Sequence, residues 1–117
     1  MDELYTKSDI VISRSGASSV FEIIAFQKPA ILIPYMKSIN GDQFENAKFL
    51  ESNNAAFILD ETKDITSPLF LTLTELIKYP EKLTLMRNNL KKLKNTNTTK
   101  KFAELVEKTL YNKNIDN

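Results

Sequence analysis

Three short apolar runs, spaced so that one helix fits between each pair, constrain this chain of 117 residues more tightly than any other feature of its sequence. Residues 9–13 hold Ile10-Val11-Ile12, residues 30–34 hold Ile31-Leu32-Ile33, and residues 55–59 hold Phe57-Ile58-Leu59. Each run is continuously apolar and bounded by polar or turn-forming residues, the pattern of a strand buried on both faces. Between the first two, residues 17–27 set Val20, Ile23, Ile24 and Gln27 at helical spacing, and Lys28-Pro29 stops the helix. Between the second and third, residues 42–53 turn Phe44, Ala47 and Phe49-Leu50 towards one side, with Asn53-Asn54 as a C-cap. Strand-helix-strand-helix-strand at this spacing predicts two parallel crossovers.

The second half changes character. Ser67-Pro68 reads as an N-cap followed by proline at the first helical position, opening a helix to about residue 79. Pro80 opens another to about residue 93, with Leu83, Met86, Leu90 and Leu93 spaced as core, and a third is expected over residues 98–111. The expected fold is therefore α/β: a partial Rossmann-like domain over residues 1–94, followed by a C-terminal helix and frayed tail over residues 95–117. Three parallel strands leave two open edges. The expectation is that part of the domain is missing or supplied by another chain.

Composition removes whole classes of function. With no Cys and no His, disulfide frameworks, thiol nucleophiles, Cys- or His-ligated metals and His-dependent triads fall away within this chain. A net charge of +1 leaves no excess to attract nucleic acid, and only Arg14 and Arg87 offer the guanidinium fork suited to phosphates and base edges. There is no apolar run long enough to span a membrane and no signal-peptide pattern, so the chain reads as soluble and cytoplasmic. No Walker-type loop, no Gly-x-Gly-x-x-Gly and no Asp-x-Asp pair is present, and no metal is expected.

In an open parallel sheet, ligands gather at the carboxyl ends of the strands. Two loops qualify. Ser13-Arg14-Ser15-Gly16-Ala17-Ser18-Ser19 enters a helix through small residues. Its first-turn amides suit a diphosphate, Ser18 and Ser19 can add hydroxyl contacts, and Arg14 can add charge. The plainer alternative is that Ser15 only N-caps the helix. Glu22 either interacts with the helix dipole, for about 0.3–1 kcal/mol, or accepts from ribose hydroxyls. In the second loop, Asp42 or Asn40 can cap the next helix, while Asp42 and Gln43 together present groups suited to sugar hydroxyls.

Ser8-Asp9-Ile10-Val11-Ile12-Ser13-Arg14-Ser15-Gly16-Ala17-Ser18-Ser19-Val20-Phe21-Glu22-Ile23 resembles the C-terminal half of the MurG family. Lys28-Pro29-Ala30-Ile31-Leu32-Ile33-Pro34-Tyr35 and Asp42-Gln43-Phe44-Glu45-Asn46-Ala47 resemble its next two blocks, in order and at matching distances. The resemblance implies the C-terminal, donor-binding domain of a GT-B glycosyltransferase. It further implies transfer of N-acetylglucosamine from UDP-GlcNAc to lipid-linked muramoyl-pentapeptide (lipid I to lipid II). That reaction belongs to peptidoglycan and cell-wall synthesis, with ties to cell shape and the cell cycle, at the inner face of the bacterial membrane. It places the diphosphate on Ala17, Ser18 and Ser19, the ribose on Glu22 and the sugar on Asp42 and Gln43; Arg14, Ser15 and Gly16 match the same motif. No catalytic residue, cofactor or metal is expected in this chain. The family's proposed base and acceptor surface belong to an N-terminal Rossmann-like half, the expected partner. Met1-Asp2-Glu3-Leu4-Tyr5 resembles the interior of the domain, so the expectation is a truncation, split gene or late start, inactive alone. The alternative is a non-catalytic donor-binding subunit, similar to split GlcNAc-transferases of the dolichol pathway, or an inactive remnant.

Overall fold

The computed structural model describes residues 9–96 together with Lys100 and Glu104. Apart from those last two residues, the helix expected over 98–111 lies outside the described residues. The order of elements is β1 (Val11–Ser13), α1 (Ala17–Phe26), β2 (Ala30–Leu32), α2 (Asp42–Ser52), β3 (Ala56–Ile58), α3 (Thr66–Lys78) and α4 (Glu81–Lys94). The strands form one parallel sheet in the order β1-β2-β3. In register, Ala30 of the central strand lies between Val11 and Ala56, Ile31 between Ile12 and Phe57, and Leu32 between Ser13 and Ile58.

Alternation then sorts the sheet into two faces. Ala30, Leu32 and Ala56 belong to one core cluster with Val20, Ile23 and Ile24 of α1, Ala47 and Leu50 of α2, and Leu90 and Leu93 of α4. Val11 and Ile58 pack against it. The second face does not meet the expectation that every strand is buried on both sides. Ile31 of the central strand is buried, but Ile12 is 46% exposed. β1 is an edge strand among the described residues, so nothing there covers its outer flank.

The helix ends follow local chemistry. α1 stops one residue earlier than expected because Gln27 turns left-handed (φ 55°), letting the amides of Gln27 and Lys28 bond back to Ile24 and Ile23. α2 ends at Ser52, where Asn53 caps it through its own amide to Phe49 O and Asn54 takes the left-handed conformation. The expected Ser67 cap of α3 is corrected. The helix starts at Thr66, whose amide donates to Asp64 Oδ1 at 3.0 Å, so Asp64 does the capping work. Pro68 sits inside the first turn, where its missing N–H costs no helical bond. At the far end of the sheet, Lys94 Nζ donates to Ala25 O at 2.9 Å and ties the end of α4 to the end of α1. The carboxyl ends of the strands stay clear of this helix contact, and the candidate site lies there.

Candidate functional site at the carboxyl ends of the strands

Three loops leave the sheet on this side: residues 14–16 into α1, residues 33–41 into α2 and residues 59–65 into α3. The first delivers a bare helix start. Gly16 is the N-cap of α1 in an extended conformation, with no side chain capping it and no acidic residue in the first turn. The first bond of the helix runs from Val20 N–H to Gly16 O at 3.0 Å, and among the described residues the amides of Ala17, Ser18 and Ser19 have no protein acceptor. Three donors at the positive end of a ten-residue helix, without a local carboxylate, make an anion-binding geometry.

Ser15 is not the cap. It is fully buried, its hydroxyl donates to Gln43 O at 2.6 Å, and its own carbonyl accepts from Asn46 Nδ2 at 3.0 Å. Ser15 therefore fastens the start of α1 to the start of α2, which explains why a small polar residue stands in the interior there. The capping expected of Asp42 or Asn40 is also corrected. Asn40 (φ 56°) and Gly41 (φ 68°) form a left-handed pair before α2, and neither the Asn40 side chain nor that of Asp42 caps the helix. Ser38 Oγ accepts the Gln43 amide at 3.2 Å instead. Asp42 is exposed in the first turn of α2.

Gln43 is held so that only one end of its amide is free for a ligand. Its Oε1 accepts the Tyr35 amide at 2.8 Å. Its Nε2 faces the backbone of Gly16, 4.0 Å from where a Cβ would stand. The structure thus brings Gln43 to the mouth of α1, joining the two loops that the sequence marked separately. Glu22, one turn further along α1, is half-buried and has no protein partner among the described residues. Its place in the second turn is the one the sequence expected, and a dipole interaction fades beyond the first turn.

Arg14 turns elsewhere. Its guanidinium pairs with Glu61, donates through Nη1 to Ile33 O at 3.2 Å, and lies 5.8 Å from the Tyr35 ring centroid. Together with Ile12, Ser13, Ile33, Glu61 and Ile65 it lines an open hollow of ≈ 320 Å³ that does not include the α1 start. Hydrogen bonding from Arg14, and then from the Met36 amide at 3.1 Å, holds the Glu61 carboxyl below the usual carboxylate range. Asp60 is lowered in the same direction by the Thr62 hydroxyl and amide, which close a local turn. Among the described residues no three His, Cys, Asp or Glu side chains converge to hold a metal ion, and no helix is long and apolar enough to cross a membrane.

Sequence reasoning missed Ser38, Asn46 and Glu61. Asn46 had a signal, since it lies three residues after Gln43 and shares its helix face. Glu61 had none: it meets Arg14 across 47 positions of sequence.

Comparison with known proteins agrees with this architecture. The family model described as the glycosyltransferase family 28 C-terminal domain matches residues 1–109. A UDP-N-acetylglucosamine–N-acetylmuramyl-(pentapeptide) pyrophosphoryl-undecaprenol N-acetylglucosamine transferase from Borreliella afzelii is 35% identical over 103 residues, covering 88% of this chain and 28% of that protein. The protein of the same description from Fusobacterium nucleatum is 42% identical over 95 residues, covering 81% and 26%. The crystal structure of MurG from Acinetobacter baumannii superposes with a TM-score of 0.70 at 26% identity, over 91% of this chain and 30% of that one. The chain spans less than a third of the length of each of these relatives.

Proposed function

This chain belongs to glycosyltransferase family 28, through its C-terminal domain, and from that premise we propose that it is the donor-binding portion of an inverting UDP-GlcNAc transferase. The observation that carries the reading is the uncapped start of α1, with three unpaired amides and no acidic residue beside them. In this reading Ala17, Ser18 and Ser19 receive the diphosphate. Glu22 accepts from the ribose hydroxyls, and the Gln43 amide nitrogen donates to the sugar or its neighbouring phosphate oxygen. Asp42, exposed beside Gln43, completes the sugar side.

The chemistry follows from that seating. An acceptor hydroxyl attacks the anomeric carbon from the face opposite the diphosphate, the bond to the β-phosphate oxygen breaks, and UDP leaves. Charge grows on that phosphate as the bond lengthens. Fixed amides aimed at it stabilise the transition state more than the ground state, with no reorganisation needed at the moment of reaction. The names of the relatives supply the acceptor class, a lipid-linked muramoyl-pentapeptide, and we extend it to transfer by an enzyme that uses this domain. The acceptor surface and the base that takes the hydroxyl proton belong in this reading to an N-terminal Rossmann-like half at the inner face of the membrane. The chain alone then binds donor without transferring it.

Calorimetric titration of the purified chain with UDP-GlcNAc, UDP-glucose, UDP and ADP tests the reading. The expected order is UDP-GlcNAc tightest, UDP-glucose and UDP weaker and ADP weakest. Equal affinity for all four would remove the assignment to a UDP-GlcNAc donor.

A further inference from the structure

The ends of all three strands are joined through one carboxylate. Glu61, in the loop after β3, has a side chain only 24% exposed. Its Oε2 accepts from Arg14, which directly follows β1. Its Oε1 accepts the Met36 amide at 3.1 Å, in the loop after β2. The preceding amide, that of Tyr35, goes to Gln43 Oε1 at 2.8 Å. Two consecutive amides of the same loop are therefore held by two side chains from different elements, and the orientation of Gln43 depends on where that amide pair sits. Arg14 adds a second hold on the same loop through Ile33 O and the Tyr35 ring.

We propose that Glu61 is a positioning residue for the sugar side of the donor site: it fixes the 35–36 amide pair and Arg14, and through them the place of the Gln43 amide nitrogen over Gly16. The inference rests on the donor-binding reading above. Glu61 touches no part of the α1 start, so it acts through Gln43 and not on the ligand. The role needs a carboxylate. Ionised, it is acceptor-only and has two oxygens, one for a guanidinium and one for an amide. Glutamine retains an acceptor for Met36 but sets an NH₂ donor against the donors of Arg14. Alanine removes both holds.

The test compares wild type, Glu61→Gln and Glu61→Ala, each alone and combined with Gln43→Ala, by titration with UDP-GlcNAc and UDP, alongside thermal unfolding and the NMR signals of the Gln43 side-chain amide. Glu61→Ala is expected to weaken UDP-GlcNAc roughly tenfold while UDP changes by less than about threefold, and to shift or broaden the Gln43 amide signals. Glu61→Gln is expected to fall between, and it keeps the test usable if the alanine variant folds poorly. In the Gln43→Ala background, removing Glu61 should cause no further loss of sugar discrimination. Equal losses for UDP and UDP-GlcNAc that track a lower unfolding midpoint would make Glu61 merely structural and overturn the proposal. So would unchanged affinity in both Glu61 variants, or full additivity with Gln43→Ala. A wild-type chain that binds neither ligand overturns the donor reading and this inference together, whereas a wild type that binds UDP-GlcNAc normally beside unaffected Glu61 variants overturns this inference alone.

Discussion

Glu22 and Glu61 are carboxylates of the same site region, yet they stand in opposite situations. Glu22 has no protein partner among the described residues. Glu22→Ala should leave the unfolding midpoint nearly unchanged and weaken UDP binding by about 1–3 kcal/mol, the worth of hydrogen bonds to a charged acceptor. A calorimetric affinity equal to wild type would deny it the ribose. Glu61 accepts from Arg14 and from the Met36 amide, and these bonds hold its carboxyl low. A folded pKa below the unfolded one stabilises the fold above the unfolded value, and that stabilisation is lost as pH falls through the folded value. Urea midpoints of wild type should therefore exceed those of Glu61→Gln near neutrality, and the two curves should converge as the pH drops below about 4.3. Parallel curves across that window would mean that the Arg14 pair contributes nothing.

Among the elements, the two glycines separate backbone need from ligand need. Gly41 has φ 68° at the start of α2, with open space around its Cβ position. Its constraint is conformational, and Gly41→Ala should destabilise by about 1–2 kcal/mol in chemical denaturation. Gly16 has an ordinary φ of −64° and room for a methyl group beside Gln43 Nε2. Gly16→Ala should leave stability within about 0.5 kcal/mol of wild type, because no strained geometry depends on it. If both substitutions cost the same, the left-handed argument for Gly41 fails. Element existence was legible because apolar periodicity and proline punctuation are local. Helix starts were legible only to within a residue or two. The caps are made by Asp64 and Ser38, and small polar residues crowd every loop, so sequence alone does not say which of them turns back.

For the whole molecule, stability rests on one face of a short sheet. Leu50 is fully buried between α2 and the strands and belongs to the core cluster with Ile23, Leu32 and Leu90. Leu50→Ala should cost about 2–5 kcal/mol in urea unfolding, and a loss under about 1 kcal/mol would show that this core collapses around the gap. The opposite face is thinner: Ile12 is 46% exposed on the edge strand, and Phe70, Leu71 and Ile77 stand out from α3. The strand run at Ile10-Val11-Ile12 looked symmetrically buried because every residue in it is apolar. Which flank receives a covering layer is decided by elements far away in sequence.

Local pattern was enough for the three parallel strands with their crossover helices, the two loops at their carboxyl ends and the small-residue start of α1. These depend on period, spacing and turn chemistry, which act over a few residues. Long-range packing settled that Ser15 is buried against Gln43, that the Gln43 side-chain oxygen is taken by the Tyr35 amide, and that Arg14 turns to Glu61 and away from the start of α1. Those outcomes are choices among several chemically able partners, and proximity in the folded chain, not residue type, selects between them.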